Sequence, residues 1–237
     1  MTCADTFLSA TNFIYDECQQ GISTLSRIVV ATPSALSGDA RTALIPALYA
    51  YWERFFKLTF SEYLRSVTLE AIAVDKASTT LVRLRVRRAA IEFENRARGT
   101  LLSAVDKDVL GAAKTALADL LREVSAMDAL YTTPLTFANP DEWIETESNV
   151  RFRVLEKNCK LLGLDTAALT ALLSKAGMQL YTKLEDLVET RNKIAHGEVL
   201  HPTDSARWND LHSFVSTLMN AVQFFLHEHL EQDEHMV

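Results

Sequence analysis

The chain has few places to turn. Among its 237 residues are 7 glycines and 5 prolines, about 5% together where ordinary usage would give roughly 12%. Tight reversals lean on the left-handed freedom of glycine and the fixed φ of proline, so a chain this poor in both folds into long helices. Hydrophobic residues make up 48% and charged residues 23%. That is enough apolar surface for a sizeable core and excludes a disordered chain.

Apolar periodicity supplies the elements. From Ala4 to Val30, Phe7, Phe13, Ile14, Cys18, Ile22, Leu25 and Ile28 recur at three- and four-residue spacings, and Gly21 weakens this amphipathic helix without ending it. Thr32-Pro33-Ser34, Gly38 and Asp39 then break the chain. A second helix runs from Arg41 to Asp75, apolar nearly all round through Leu48, Tyr51, Trp52, Phe55, Phe56, Leu58 and Phe60, and therefore central in a bundle. Leu81 to Arg87 alternates Val82, Leu84 and Val86 with Arg83, Arg85 and Arg87, which suits an edge strand as well as a turn of helix. Residues 112–125 return to a helical pattern, and Asp128 to Pro140 is a Thr-, Pro- and Asn-rich seam between two halves. Four helices follow, at 147–162, 166–175, 179–196 and 205–232, with caps at Asp165 and Thr203 to Ser205 and a stop at Gly197. The expected fold is all-α, one helical domain over residues 1–237 with an Arg-rich insertion at about 76–130.

Charge and cysteine usage narrow the function classes. The net charge of −7 argues against a protein that coats duplex nucleic acid with its whole surface. One segment runs against the trend: residues 76–98 hold seven basic side chains against Glu92 and Glu94. This run either steers RNA or guards an exposed edge. The longest apolar stretch, Leu44 to Trp52, is too short for a membrane span, and the first basic residue, Arg27, comes too late for a secretory leader, so a cytoplasmic protein is expected. Cys3, Cys18 and Cys159 are odd in number and widely spaced, the pattern of reduced thiols rather than a disulfide or zinc framework. His227, His229 and His235 read as a solvated tail, because neighbours two apart on a helix do not converge on a metal.

The chemistry concentrates between Tyr181 and Gly197. No phosphate-binding glycine loop, dinucleotide fingerprint, zinc-protease motif or nucleophile elbow occurs in the sequence. In Leu184-Glu185-Asp186-Leu187-Val188-Glu189-Thr190-Arg191-Asn192-Lys193-Ile194-Ala195-His196-Gly197, the residues Leu180, Leu184, Leu187, Val188 and Ala195 share one face. Arg191 falls within it. A guanidinium in a core-like position needs a carboxylate partner or an anionic ligand, and Glu53, set among Trp52, Phe55 and Phe56, is the internal candidate. On a second face Glu185, Glu189, Asn192 and His196 line up. An Arg and a His near a helix C-terminus also serve simply to compensate the helix dipole, and spacing alone does not separate the two roles.

Arg191-Asn192-Lys193-Ile194-Ala195-His196-Gly197 resembles the R-x4-6-H motif of the HEPN superfamily, with Asn directly after Arg and Gly directly after His. Leu48-Tyr49-Ala50-Tyr51-Trp52-Glu53-Arg54-Phe55 with Tyr63-Leu64, Thr146-Glu147-Ser148-Asn149-Val150, and Leu161-Leu162-Gly163-Leu164-Asp165 are similar to a prokaryotic HEPN branch linked with toxin–antitoxin and antiphage systems. The resemblance covers residues 41–75 and 141–230 and leaves the Arg-rich insertion unmatched. It implies a metal-independent endoribonuclease without cofactor, acting on RNA as a homodimer whose two Arg–His pairs share one cleft. It also implies His196 as general acid or base, Arg191 on the phosphate, Asn192 orienting one of them, and Glu53 supporting Arg191. Residues i and i+5 of a helix point about 140° apart, so one chain alone does not bring Arg191 and His196 together. A catalytically silent HEPN module binding nucleotide, RNA or a partner protein, or an antitoxin-like partner, is the alternative.

Overall fold

The computed structural model describes residues 2–73, 76–87, 134–198, 201–232 and 236. The expected helix at 112–125, most of the insertion and the first part of the seam lie outside the described residues. Those that are described form an all-α bundle without a named strand. Helix α1 spans Cys3–Ala31 and α2 spans Ser37–Leu69. Residues 79–87 are helical (α3), and after the seam come α4 (Phe152–Leu162), α5 (Thr166–Lys175), α6 (Leu180–Ala195) and α7 (Ser205–Glu231).

Helix α2 is the axis of the bundle: α1, α6 and α7 all pack on it. Trp52, Phe55, Phe56, Phe60, Tyr63 and Leu64 of α2 are fully buried, together with Phe7 and Ile22 of α1 and Phe214 of α7. Tyr51, expected in the same core cluster, is only partly buried. Its ring instead packs across α1, where a Cβ at Gly21 would stand 2.2 Å from it, so the glycine lets α1 and α2 close on each other at that point. This is why Gly21 sits inside an unbroken helix. Cys18 and Cys159 are buried free thiols and Cys3 is partly buried. Among the described helices none is long and apolar enough to cross a membrane.

Several element ends differ from the periodicity reading, each for a tertiary reason. Helix α2 begins at Ser37 rather than Arg41 because Gly38 fits inside its first turn: Pro202 lies against the glycine, and a Cβ there would come within 2.7 Å of the proline ring. It ends at Leu69 rather than Asp75, where Ala71 takes a left-handed φ of 51° and the chain turns so that Leu135 N–H donates to the Ile72 carbonyl at 2.7 Å. Helix α4 starts at Phe152 rather than 147. The buried Asn158 side chain holds the preceding loop open, accepting from Glu145 N–H at 3.0 Å and donating to the Glu145 carbonyl at 2.7 Å. The Arg83/Arg85/Arg87 run is helical, so the strand option falls. His229 is not a solvated residue: it is 7% exposed, and its Nδ1 lies 3.1 Å from the Tyr63 hydroxyl.

Candidate active site

Helix α6 carries the candidate residues Arg191, Asn192 and His196, and its ends are well defined. At its C-terminus His196 is the cap residue. Gly197 follows at φ +74°, and Glu198 N–H donates back to the Lys193 carbonyl at 3.0 Å. This closes the helix with the left-handed glycine turn expected of a sharp stop. Among the described residues nothing lies within 4 Å of a Cβ built at Gly197, and its positive φ is what calls for glycine there. The chain then returns to α2, where Thr203 N–H donates to Thr42 Oγ1 at 2.9 Å and Arg41 Nε donates to the Thr203 carbonyl at 2.6 Å.

Leu180, Leu184, Leu187 and Val188 are buried against the bundle as the sequence predicts. Ala195, placed on the same face by spacing, is exposed, because the last turn of α6 projects beyond the core. Most charged side chains of α6 have a counter-charge. Lys183 pairs with Asp210, Glu185 with Arg151 at 2.8 Å, Asp186 with Arg207 at 2.8 Å and Glu189 with Lys193 at 2.8 Å. Arg191 is the exception: among the described residues it has no carboxylate in contact.

What holds Arg191 is a ring and an amide. Its guanidinium carbon lies 5.3 Å from the centroid of the Tyr49 ring, cation–π geometry, and its Nη1 donates to Asn192 Oδ1 at 2.9 Å. Tyr49 is 1% exposed, and its hydroxyl accepts the Val150 N–H at 2.6 Å. The indole of Trp52, one turn along α2, donates to the Val150 carbonyl at 3.4 Å. Next to Val150, Arg151 is clamped by Glu185, whose other oxygen accepts the Phe152 N–H at 3.1 Å and so caps α4. The path thus runs from Arg191 through Tyr49, Val150 and Arg151 to Glu185, back on α6.

The electrostatics follow from this burial. The Tyr49 hydroxyl is pushed up to about 12, chiefly by burial and further by Glu53, against the downward pull of the Val150 N–H, Arg191 and Arg151. The ring is therefore neutral at any physiological pH. Burial also raises the Glu53 carboxyl, while Arg191 and, more weakly, Lys57 pull it back down. Glu53 is thus within electrostatic reach of Arg191, but the two form no contact ion pair. His196 is exposed, and among the described residues its ring makes no hydrogen bond. Within one chain the structure unites Arg191 with Asn192, leaves Glu53 at longer range, and does not join Arg191 to His196.

Sequence reasoning missed Tyr49, Val150 and Arg151 as neighbours of the site, and it lined Glu185 up with Asn192 and His196 without seeing its hold on Arg151 and Phe152. Tyr49 and Val150 stand within two of the stretches that carry the HEPN resemblance. No charge pattern in either stretch marks the connection, because the links are a ring face and a backbone N–H. No group of His, Cys, Asp and Glu able to hold a metal ion occurs among the described residues.

The RiboL-PSP-HEPN family model matches residues 14–223, well over half of the chain. The protein belongs to this HEPN family. The match extends beyond the stretches of the motif resemblance and spans the Arg-rich insertion. Membership carries a nuclease or RNA-related function at the level of the superfamily, some of whose members are inactive. No curated protein and no solved structure matches the chain.

Proposed function

We propose that the protein is a metal-independent endoribonuclease, active as a homodimer and serving as a toxin or antiphage effector. The supporting observation is Arg191: a half-buried guanidinium, oriented by Tyr49 and Asn192, with no carboxylate in contact among the described residues. A cation left without a counter-charge beside a surface is a place for an anion, and a planar guanidinium suits the two oxygens of a phosphodiester. His196, at the exposed end of the same helix, reaches the phosphate bound by a second copy when two α6 ends are brought together by a two-fold axis.

In that cleft imidazole takes the proton of the RNA 2′-hydroxyl, and the 2′-oxygen attacks the adjacent phosphorus. Arg191 stabilises the charge that gathers on the phosphoryl oxygens, and Asn192 keeps the guanidinium turned toward them. The bond to the 5′-oxygen breaks and that oxygen takes up a proton from an imidazolium of the same cleft, His196 acting here as general acid, leaving a 2′,3′-cyclic phosphate and a 5′-hydroxyl. Glu53 tunes Arg191 through the field rather than by contact.

The test is cleavage of cellular RNA by the purified protein. His196→Ala and Arg191→Ala are expected to lose cleavage, by about 100-fold or more, with the fold intact by circular dichroism. EDTA is expected to leave the wild-type rate unchanged, and growth arrest on expression should be relieved by either substitution. Chelator inhibition, or full activity of His196→Ala, overturns the mechanism. His196, exposed and without a hydrogen bond among the described residues, favours one second reading: a module silent in cleavage that binds RNA, nucleotide or a partner protein, such as an antitoxin, through Arg191. It would bind without cutting.

A further inference from the structure

Tyr49 is a buried tyrosine whose position no packing need explains fully. A phenylalanine would fill the same core volume, yet the hydroxyl takes a 2.6 Å hydrogen bond from Val150 N–H. That bond fixes the tilt of the ring between α2 and the 144–151 loop. The loop itself is held from two sides, by Asn158 at Glu145 and by Glu185 at Arg151 and Phe152. The ring face so fixed is the one over which the Arg191 guanidinium lies, 5.3 Å from the centroid.

An arginine side chain on a helix surface samples many rotamers, and holding it in one costs rotamer entropy. Asn192 restrains one nitrogen of Arg191 from the next position on the same helix, but a bond between sequence neighbours moves with the helix and does not tie the guanidinium to anything else. Tyr49 is the contact that refers it to the rest of the bundle.

We infer that Tyr49 is a positioning residue: its ring, anchored through the hydroxyl to Val150, presents the Arg191 guanidinium to a phosphodiester of bound RNA. The inference rests on reading Arg191 as the phosphate-binding group. Tyr49 touches no reacting atom in this scheme, and its effect passes through Arg191.

The experiment compares Tyr49→Phe, which keeps the ring and drops the anchor, with Tyr49→Leu, which drops the ring, each in wild-type and Arg191→Ala backgrounds. The probe is a 2′-deoxy-substituted oligonucleotide, which cannot form a cyclic phosphate, so that binding is read apart from cleavage. Tyr49→Leu is expected to weaken binding about tenfold in the wild-type background, because the probe must then order the Arg191 side chain itself. In the Arg191→Ala background it should add less than about twofold, the signature of two residues acting as one. Tyr49→Phe should fall between wild type and Tyr49→Leu. Equal losses in both backgrounds, or no binding by the wild type, overturn the inference. Should Tyr49→Leu fail to fold, proton NMR of the guanidinium decides: the Arg191 side-chain resonances are expected upfield from the ring current in wild type and in Tyr49→Phe, and unshifted signals in the wild type overturn the inference. A wild type that binds the probe, shows the coupling and cuts no RNA refutes the nuclease proposal and leaves the positioning role standing.

Discussion

His212 shows how a single side chain ties stability to pH in this bundle. It lies on the face of α7 that also carries Ser216 and Gln223, one and three turns further on. Gln223 donates to Thr11 Oγ1 at 3.0 Å and to Asn12 Oδ1 at 2.8 Å, and Ser216 lies 3.2 Å from Gln19 Oε1, so this face forms a polar seam with α1. His212 Nε2 is buried there with no hydrogen-bond partner among the described residues. Burial holds its imidazolium form below the ordinary value of 6.5. The unfolded chain therefore takes up this proton first, so the residue costs nothing above its unfolded value and destabilises the fold as pH falls below it, down to the folded value. His212→Gln is expected to flatten the loss of urea midpoint between about pH 7.5 and pH 5 relative to wild type. An identical slope in the two proteins would refute this. Arg191 is a case of partial legibility at the same scale. Its place on the core face was readable from its neighbours, but its partner was not, since an aromatic face carries no formal charge to search for.

At the scale of elements, the apolar repeats of α1, α2 and α5 to α7 were legible because each helix buries a stripe wide enough to dominate its own pattern. The ends of α2 and the start of α4 were not. They are set by contacts that the local pattern does not contain: Gly38 against Pro202, Leu135 to Ile72, and Asn158 to Glu145. Asn158 is the clearest of these. It is 1% exposed, and its amide also donates to the Val154 carbonyl at 2.8 Å, so one side chain satisfies both backbone groups of Glu145 and a carbonyl of its own helix. Truncation leaves these groups without partners. Asn158→Ala should lower unfolding free energy by roughly 1–3 kcal/mol in a denaturant titration. A change under about 0.5 kcal/mol would show that water replaces the amide without penalty. Val150 is carried on this same loop, so the variant should also weaken oligonucleotide binding.

For the whole molecule the proposed homodimer turns on where one chain places Arg191 and His196. One chain separates Arg191, turned in over Tyr49, from His196, exposed beyond the last turn of α6. If the catalytic pair is drawn from both subunits, Arg191→Ala and His196→Ala proteins, each inactive alone, regain activity when their subunits are exchanged. A mixed dimer restores one of two pairings and random exchange makes half the dimers mixed, so about a quarter of wild-type activity is expected. No recovery, with heterodimers confirmed by mass spectrometry, would place both groups of each pair in one chain. The α6 scaffold bears on what such a site demands of its ligand. Glu185 and Arg191 hang from one helix about 9 Å apart along its axis, and the two ends of the path through Tyr49 and Arg151 are fastened to it. The gap between those fastenings is set once the helix has formed, so under the proposed reading a phosphate would meet a guanidinium already immobilised, and little ordering would be left for association to supply. Affinity would then be decided mainly by how readily phosphate and guanidinium shed their water.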